Sequence, residues 1–325
     1  MFVPFAGCPN RCSFCDQHSI TGVCQKTTPE DVRLSVEKAL SSGGIDSKNS
    51  EIAFFGGSFT AVDREYMLSL LESANPYLKD FAGIRISTRP DNIDRDVLLL
   101  LKEYGVSAIE LGAQSMNDDV LSLNDRGHNS DSVRNASVLI KEYGFSLGLQ
   151  MMTGLYGSSR DIDLQTAREF IALGPDTVRI YPTVILKNTK LEKLYISGAY
   201  VPDTLDETVN ICSELISLFE ENNIAVIRVG LHSSETVEGA MLAGGYHPAL
   251  RELCENRIFY NIIKEKLAAD NIPAGRIIIS SPPSAVSKIT GQKRTNLAQL
   301  KAEGYIAKVV TDATLTGRQI MIQEG

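Results

Sequence analysis

Up to Thr183, short β-branched or aromatic runs alternate with amphipathic stretches. The strand-like runs are Phe2–Phe5, Glu51–Phe55, Gly83–Ser87, Ser107–Leu111, Phe145–Met151 and Thr177–Thr183. Helical periodicity fills about 29–41, 64–74, 94–104, 131–143 and 161–173. Thr28 before Pro29-Glu30-Asp31 reads as an N-cap, a proline at the first helical position and an acidic first turn. Pro90-Asp91 and Asp161 are expected to open later helices, and Gly105, Gly144 and Gly174 stand where a left-handed residue stops one. Repeated β-then-α units predict an α/β fold with a parallel sheet and right-handed crossovers. Six units are fewer than a closed eightfold barrel needs, so an open sheet or a partial barrel accommodates them. In either, chemistry gathers at the C-terminal strand ends.

Beyond Pro182 the pattern loosens into a helix at about 206–222, a strand Ala225–Val229 and a helix near 248–269. Residues 275–325 read strand (Arg276–Ser280), helix, Gly291, helix (Asn296–Glu303), strand (Ala307–Thr311), strand (Gln319–Gln323). The expected division is a barrel over 1–230, an extension packed on it over 231–274, and a small α/β domain over 275–325. Of 325 residues 43% are hydrophobic and 22% charged, which supports a real core and excludes wholesale disorder. No run reaches the ~18 apolar residues of a membrane span. The opening MFVPFAGCPNRC has neither a basic nor a long apolar region, so it is not expected to act as an export signal. The expectation is a soluble cytoplasmic protein with no membrane contact. Charge is uneven: residues 251–325 carry 11 Lys/Arg against 7 Asp/Glu, the remainder 21 against 33. An acidic body excludes RNA binding by global charge and leaves a local basic patch near the C-terminus.

Six cysteines are too few for a disulfide scaffold, and three crowd together as Cys8, Cys12 and Cys15, a C-x3-C-x2-C run just after the first strand. Three thiolates on a tight loop can each bind one iron of a 4Fe-4S cluster, leaving a fourth iron open to a small molecule. The alternative is structural zinc with His18 as fourth ligand. Cys212 and Cys254 read as core residues, and Cys24 lies near the loop in sequence.

The thiol run, with Phe14 between two of its cysteines and GGSFT after the second strand, resembles the radical S-adenosylmethionine superfamily. Three further runs, ISTRPDNID (86–94), IELGAQSMNDDVLSLNDRGH (109–128) and RIYPTVILKNTKLEKLY (179–195), resemble the catalytic subunit of the Elongator complex and its bacterial relatives. HPALRELCENRIFY (247–260) resembles a C-terminal extension of that group. The resemblance implies a partial (β/α)6 TIM-like barrel with a small C-terminal α/β appendage. It also implies a cluster and S-adenosyl-L-methionine (SAM) at the barrel mouth. An electron donor such as flavodoxin or ferredoxin would drive cleavage to a 5′-deoxyadenosyl radical that abstracts hydrogen from substrate.

Carried onto this chain, the resemblance assigns Cys8, Cys12 and Cys15 to the cluster. Gly56, Gly57 and Ser58 go to the methionine amine, and Phe14 to the adenine. Gln114 and Arg126 match a pair that holds the methionine carboxylate and ribose in the oxygen-independent coproporphyrinogen oxidase branch; a guanidinium fork suits a carboxylate. That branch has acidic residues where this chain has Ser87-Thr88 and Gln150, so Thr88 and Gln150 would offer hydroxyl and amide contacts instead. Alone, each carries a plainer reading: a β-to-α turn for the glycines, loop packing for Phe14, an ion pair for Arg126. His128, His232 and His247 read as structural or as proton donors. Tyr156, Tyr181 and Tyr195 follow strands five and six and are candidates for returning a hydrogen atom or lining the substrate cavity.

Elongator-type proteins modify a tRNA wobble uridine and carry an acetyltransferase domain. The expectation is that these 325 residues hold no such domain, so the acetyl-coenzyme A reaction is not carried over. The strand–helix–Gly291-Gln292-Lys293-Arg294–helix–strand order matches a KH RNA-binding module with Arg294 in place of its second glycine. The alternative is a generic appendage packed on the barrel. Lys288, Lys293 and Arg294 are the nucleic-acid candidates. The expectation is therefore a radical enzyme acting on tRNA or other RNA. Its rivals are a radical enzyme acting on a small molecule or peptide, and a non-catalytic scaffold with a structural metal.

Overall fold

A computed structural model describes residues 1–3, 8, 11–16 and 26–325 of the chain. His18, Cys24 and the last two residues of the expected first strand lie outside these. After β1 (Phe2–Val3), α1 (Pro29–Ser41) opens on a complete capping box, Thr28 accepting from Asp31 N while the Asp31 carboxylate accepts from Thr28 N at 2.8 Å. There follow β2 (Glu51–Gly56), α2 (Arg64–Ala74), β3 (Gly83–Thr88), α3 (Arg95–Glu103) and β4 (Val106–Gln114). Next come α4 (Asp118–Leu123), α5 (Ser130–Glu142), β5 (Ser146–Thr153), α6 (Arg160–Leu173) and β6 (Thr177–Pro182). Two expected helix starts differ. Pro90–Asn92 is a separate 3-10 turn and α3 is capped by Asp94, while α6 is capped by Ser159. In each case the side-chain oxygen that reaches a backbone N–H at the third helical residue defines the start.

The chain continues through β7 (Val184–Leu186), α7 (Lys190–Ile196), α8 (Leu205–Glu221), β8 (Ala225–Val229), α9 (Glu235–Ala240), β9 (Met241–Gly244) and α10 (Leu250–Ala269). The main sheet, β1-β2-β3-β4-β5-β6-β8, is parallel throughout and curls into a half-barrel. It has one strand more than the six expected units, because β8 pairs with the free edge of β6. β7 leaves the sheet for an antiparallel ladder with β9. The sequence reading missed α4, α7, α9 and this ladder, since each spans too few residues for a period to declare itself.

Strand alternation sorts the two faces of the half-barrel. Ile84, Ile86, Ile109, Leu111, Leu147, Leu149, Val178 and Ile180 are fully buried under the helices and join one core. The alternate positions Arg85, Glu110, Gln150 and Arg179 are polar and bond to one another across the strands. Among the described residues no helix is long and apolar enough to cross a membrane.

A second unit comprises β10 (Arg276–Ser281), α11 (Val286–Thr290), α12 (Thr295–Ala302), β11 (Ile306–Thr311) and β12 (Met321–Glu324), with sheet order β11-β10-β12. Its apolar core, including Ile277, Ile279, Ile289 and Leu300, closes on Phe259, Ile263 and Leu267 of α10. Buried Glu255 of the same helix faces Lys288 at 3.4 Å, Arg318 at 3.5 Å and Arg251 at 3.8 Å. One helix thus serves both cores and carries the charge that fastens them.

Candidate active site

The loop bearing the three thiols is pinned at its middle. Ser13, fully buried, donates from Oγ to Asn124 Oδ1 at 2.6 Å and from N to Asn124 O at 3.1 Å; its carbonyl accepts from Leu191 N at 2.9 Å. Asn124 in turn donates from Nδ2 to Val120 O and Tyr156 O, both at 2.8 Å. Cys8, Cys12 and Cys15 are all free thiols, and Cys15 N closes a turn on Cys12 O at 3.1 Å. Burial and the neighbouring Cys12 and Cys8 sulfurs push the Cys15 thiol up to about 12. Cys8 is raised by burial and Cys12, against a pull from the Ser58 backbone N–H and from Arg89 and Arg126. Deprotonating Cys8 and Cys15 together calls for a nearby cation, and a multivalent one bound by the thiolates supplies it. Among the described residues, no three Cys, His, Asp or Glu side chains converge on a single-ion site.

Arg126 reaches over this loop from the segment after α4. Its Nη1 lies 3.1 Å from Cys12 Sγ and its Nη2 donates to Gly112 O at 2.5 Å. Gln114, at the end of β4, has φ of 70°, and the β4–β5 register slips between Gly112 and Gln114. Its side chain folds back over Gly112, where a Cβ would lie 3.1 Å from Gln114 Nε2 and 3.6 Å from Arg126 Nη2. Gln114 Oε1 is buried with no hydrogen-bond partner among the described residues. The structure therefore brings Gln114, Arg126 and Cys12 together. The sequence reading missed Arg89, which is buried, grips Asp91 at 2.9 and 2.8 Å, and donates to Arg126 O at 2.7 Å. An arginine ahead of a proline inside a resembling run was its only signal.

The other sequence candidates divide. Gly56 is needed for the fold: a Cβ there would lie 2.7 Å from the Phe2 ring and 2.8 Å from Val3 O, while Gly57 N donates to Val3 O at 3.0 Å. The Ser58 and Thr88 hydroxyls meet each other at 2.8 Å, and Thr60 Oγ1 meets Thr88 Oγ1 at 2.6 Å, so both tie the β2 and β3 ends together. Phe14 packs with Ile185, Leu191 and Tyr200. Gln150 donates to Glu110 Oε2 at 2.8 Å on the inner face. There buried Glu110 takes Arg179 through two bonds (2.6 and 2.8 Å) and Arg85 at 3.4 Å, and Arg85 reaches Glu51 at 2.6 Å. Sequence reasoning passed over this chain of charges. Charged residues alternating with buried apolar ones in GIRIST, AIELG and TVRIY were the available signal.

His128 is buried, donates from Nε2 to Ala113 O at 3.2 Å, and is driven down to about 4 by burial and by Arg126 and Arg89. His247 accepts from Ala249 N at 3.1 Å. Cys212 and Cys254 are fully buried. In the C-terminal unit Lys293 and Arg294 stand together in the turn between α11 and α12, both left-handed with φ of 53° and 64°. Lys288 instead turns toward Glu255.

The thiol donor set and the Gln114 acceptor, without a partner among the described residues, fit an iron–sulfur group with a polar ligand beside it. A parallel half-barrel with three free thiols on the loop after its first strand defines the class of α/β barrel proteins that place their chemistry at the strand ends. The chain belongs to the radical SAM superfamily and is an enzyme of that class: the family model matches residues 2–171, and that of the Radical_SAM C-terminal domain matches 175–259. It is 27% identical over 232 residues to a tRNA uridine(34) acetyltransferase of Dehalococcoides mccartyi, covering 60% of this chain and 50% of that protein. It is 30% identical over 190 residues to Elongator complex protein 3 of Homo sapiens, covering 52% of this chain and 35% of that one. The chain thus spans half or less of the length of these relatives. The archaeal Methanocaldococcus infernus Elp3 structure, with its N-terminus deleted, superposes with a TM-score of 0.62 at 23% identity, over 74% of this chain and 61% of that one. That likeness supports the fold.

Proposed function

We propose that this chain holds a 4Fe-4S cluster through Cys8, Cys12 and Cys15, binds SAM beside it, and modifies RNA, most directly a tRNA. When bound, such a cluster supplies the electron that splits the SAM sulfonium and so yields a 5′-deoxyadenosyl radical; a flavodoxin or ferredoxin is the fitting donor. The protein's part is orientation and exclusion of water. Backbone oxygens of Gly56 and Gly57 take the methionine amine, with Ser58 and Thr88 holding their loop through their hydroxyls. Arg126 serves the carboxylate, Gln114 Oε1 accepts from a ribose hydroxyl, and Phe14 lies against the adenine. Gln150, with Arg179 and Glu110, lines the inner face toward the substrate.

The observation that carries this reading is the pinned thiol loop beside the Gln114–Arg126 pair. The RNA substrate is supported by the tRNA-directed activity for which the Dehalococcoides mccartyi relative is named and by the Lys293–Arg294 turn in the more basic C-terminal unit. The unit follows the strand–helix–helix–strand order of a KH module, with residues 275–325 as its extent and 231–274 as the joint to the barrel. Anaerobic reconstitution with iron and sulfide, then dithionite and SAM, should yield 5′-deoxyadenosine in the wild type and none in Cys12→Ala. Filter binding at low salt should retain tRNA, with loss in Lys293→Glu. Absent deoxyadenosine refutes the radical chemistry; deoxyadenosine without RNA retention moves the substrate to a small molecule or peptide.

A further inference from the structure

Gln114 carries a side chain in the left-handed region of backbone space, with φ of 70°, where residues other than glycine are strained. Something must hold it there. The two carbonyls just before it are both taken. Gly112 O accepts from Arg126 Nη2 at 2.5 Å, and Ala113 O accepts from Ser115 N at 2.9 Å and from His128 Nε2 at 3.2 Å. Residues 126 and 128 thus come back over the end of β4 and hold the peptide groups that form its bulge.

We propose that His128 is a positioning residue: its Nε2–H, bonded to Ala113 O, locks the bulge and so presents Gln114 to SAM. This rests on the reading of Gln114 as a SAM contact. A carbonyl can only accept, so the proton must sit on Nε2 and one tautomer alone makes the clasp. His128 is 8% exposed and its Nδ1 has no partner among the described residues, so a charged ring would be buried without compensation. Burial first, then Arg126 and Arg89, oppose a further positive charge there, outweighing Asp91, and keep the ring in that neutral form. Rotation at residue 113 that relaxed Gln114 would break the His128 bond. With the bond made, Gln114 stays folded over Gly112 and its Oε1 stays buried without a partner among the described residues.

The test compares wild type with His128→Leu, His128→Asn and His128→Gln. Only the glutamine amide places an N–H where Nε2 stands. Hydrogen exchange across residues 112–116, read without any cofactor, should speed about tenfold in the Leu and Asn variants and stay near wild type in Gln. After anaerobic reconstitution, equilibrium dialysis should show the SAM dissociation constant raised about tenfold in Leu and Asn and within about twofold of wild type in Gln. Iron content should be equal in all four. Wild-type exchange in both Leu and Asn, or failure of Gln to rescue, overturns the proposal. If wild type itself binds no SAM, the reading of the site falls, while the exchange comparison still decides the clasp.

Discussion

Ser13 and Asn124 meet twice: hydroxyl to side-chain oxygen at 2.6 Å and backbone N–H to carbonyl at 3.1 Å, both residues fully buried. Ser13 sits immediately after Cys12, and Asn124 ends α4 two residues before Arg126. The described part of the thiol loop thereby inherits its position from the β4–α4 corner that also supplies the arginine. The same asparagine holds Tyr156 O, so the loop after β5 is joined to it as well.

Replacing that asparagine should uncouple the corner. In Asn124→Ala the Ser13 hydroxyl and the Tyr156 carbonyl lose their partners in a buried setting, which costs about 2–3 kcal/mol. Chemical denaturation should read that loss, and the iron bound per chain after anaerobic reconstitution should fall well below wild type. Equal iron and equal stability would mean that the loop is held elsewhere.

Asp163 predicts a pH dependence. Burial pushes its carboxyl up to about 7 from an ordinary 3.8, and Asp203 adds repulsion. Bonds from Ser158 Oγ at 2.6 Å and Gly154 N at 2.9 Å pull the other way and are outweighed. The folded protein therefore prefers the protonated acid. Its contribution to stability is fully present below about pH 4 and is lost as pH rises through 7. The swing is roughly 2–4 kcal/mol. Asp163→Asn should remove this swing, leaving the variant more stable than wild type at pH 8 and close to it at pH 4. A wild-type-minus-variant difference that does not change between those pH values would refute the assignment.

The inner charges make a steric prediction. A Cβ on Gly148 would lie 2.7 Å from Glu110 Cγ and 3.0 Å from Thr177 Oγ1, inside a packed sheet. Gly148→Ala should cost about 2–3 kcal/mol and swing Glu110 away from Arg179 and Gln150. Denaturant midpoints measure the first effect. The second should appear as weaker RNA or substrate binding with iron content unchanged. An alanine variant as stable as wild type would show that Glu110 has room the present geometry does not allow.

Local signals carried the half-barrel. Strand and helix periods differ, Thr28 and the stop glycines mark boundaries, and a three-thiol spacing is visible without any tertiary contact. What escaped depends on partners far apart in the chain. Nothing local at Ser13 announces Asn124, and nothing in Thr88 says that its hydroxyl is spent on Ser58 rather than on a ligand. Arg85, Glu110 and Arg179 were readable only as breaks in apolar parity, a pattern with meaning once the strands are known to be neighbours. Lys288 looked like part of a basic cluster until α10 brought Glu255 beneath it.

The turn at Lys293 and Arg294 separates stability from binding. Two successive side-chain-bearing residues at φ of 53° and 64° store strain, and glycine would release about 1 kcal/mol of it at position 294. Arg294→Gly should therefore be the more stable protein by about that amount, in thermal or urea unfolding. It also removes a cation from the turn proposed to grip RNA. The same variant should bind tRNA more weakly, with the slope of log affinity against log salt shallower by roughly 0.7–0.9 for one lost phosphate contact. Lys293→Glu should lower affinity further, by adding a repelling charge. A stabilised Arg294→Gly with unchanged affinity and salt slope would leave the turn a packing feature and send the RNA contact to the inner face of the half-barrel.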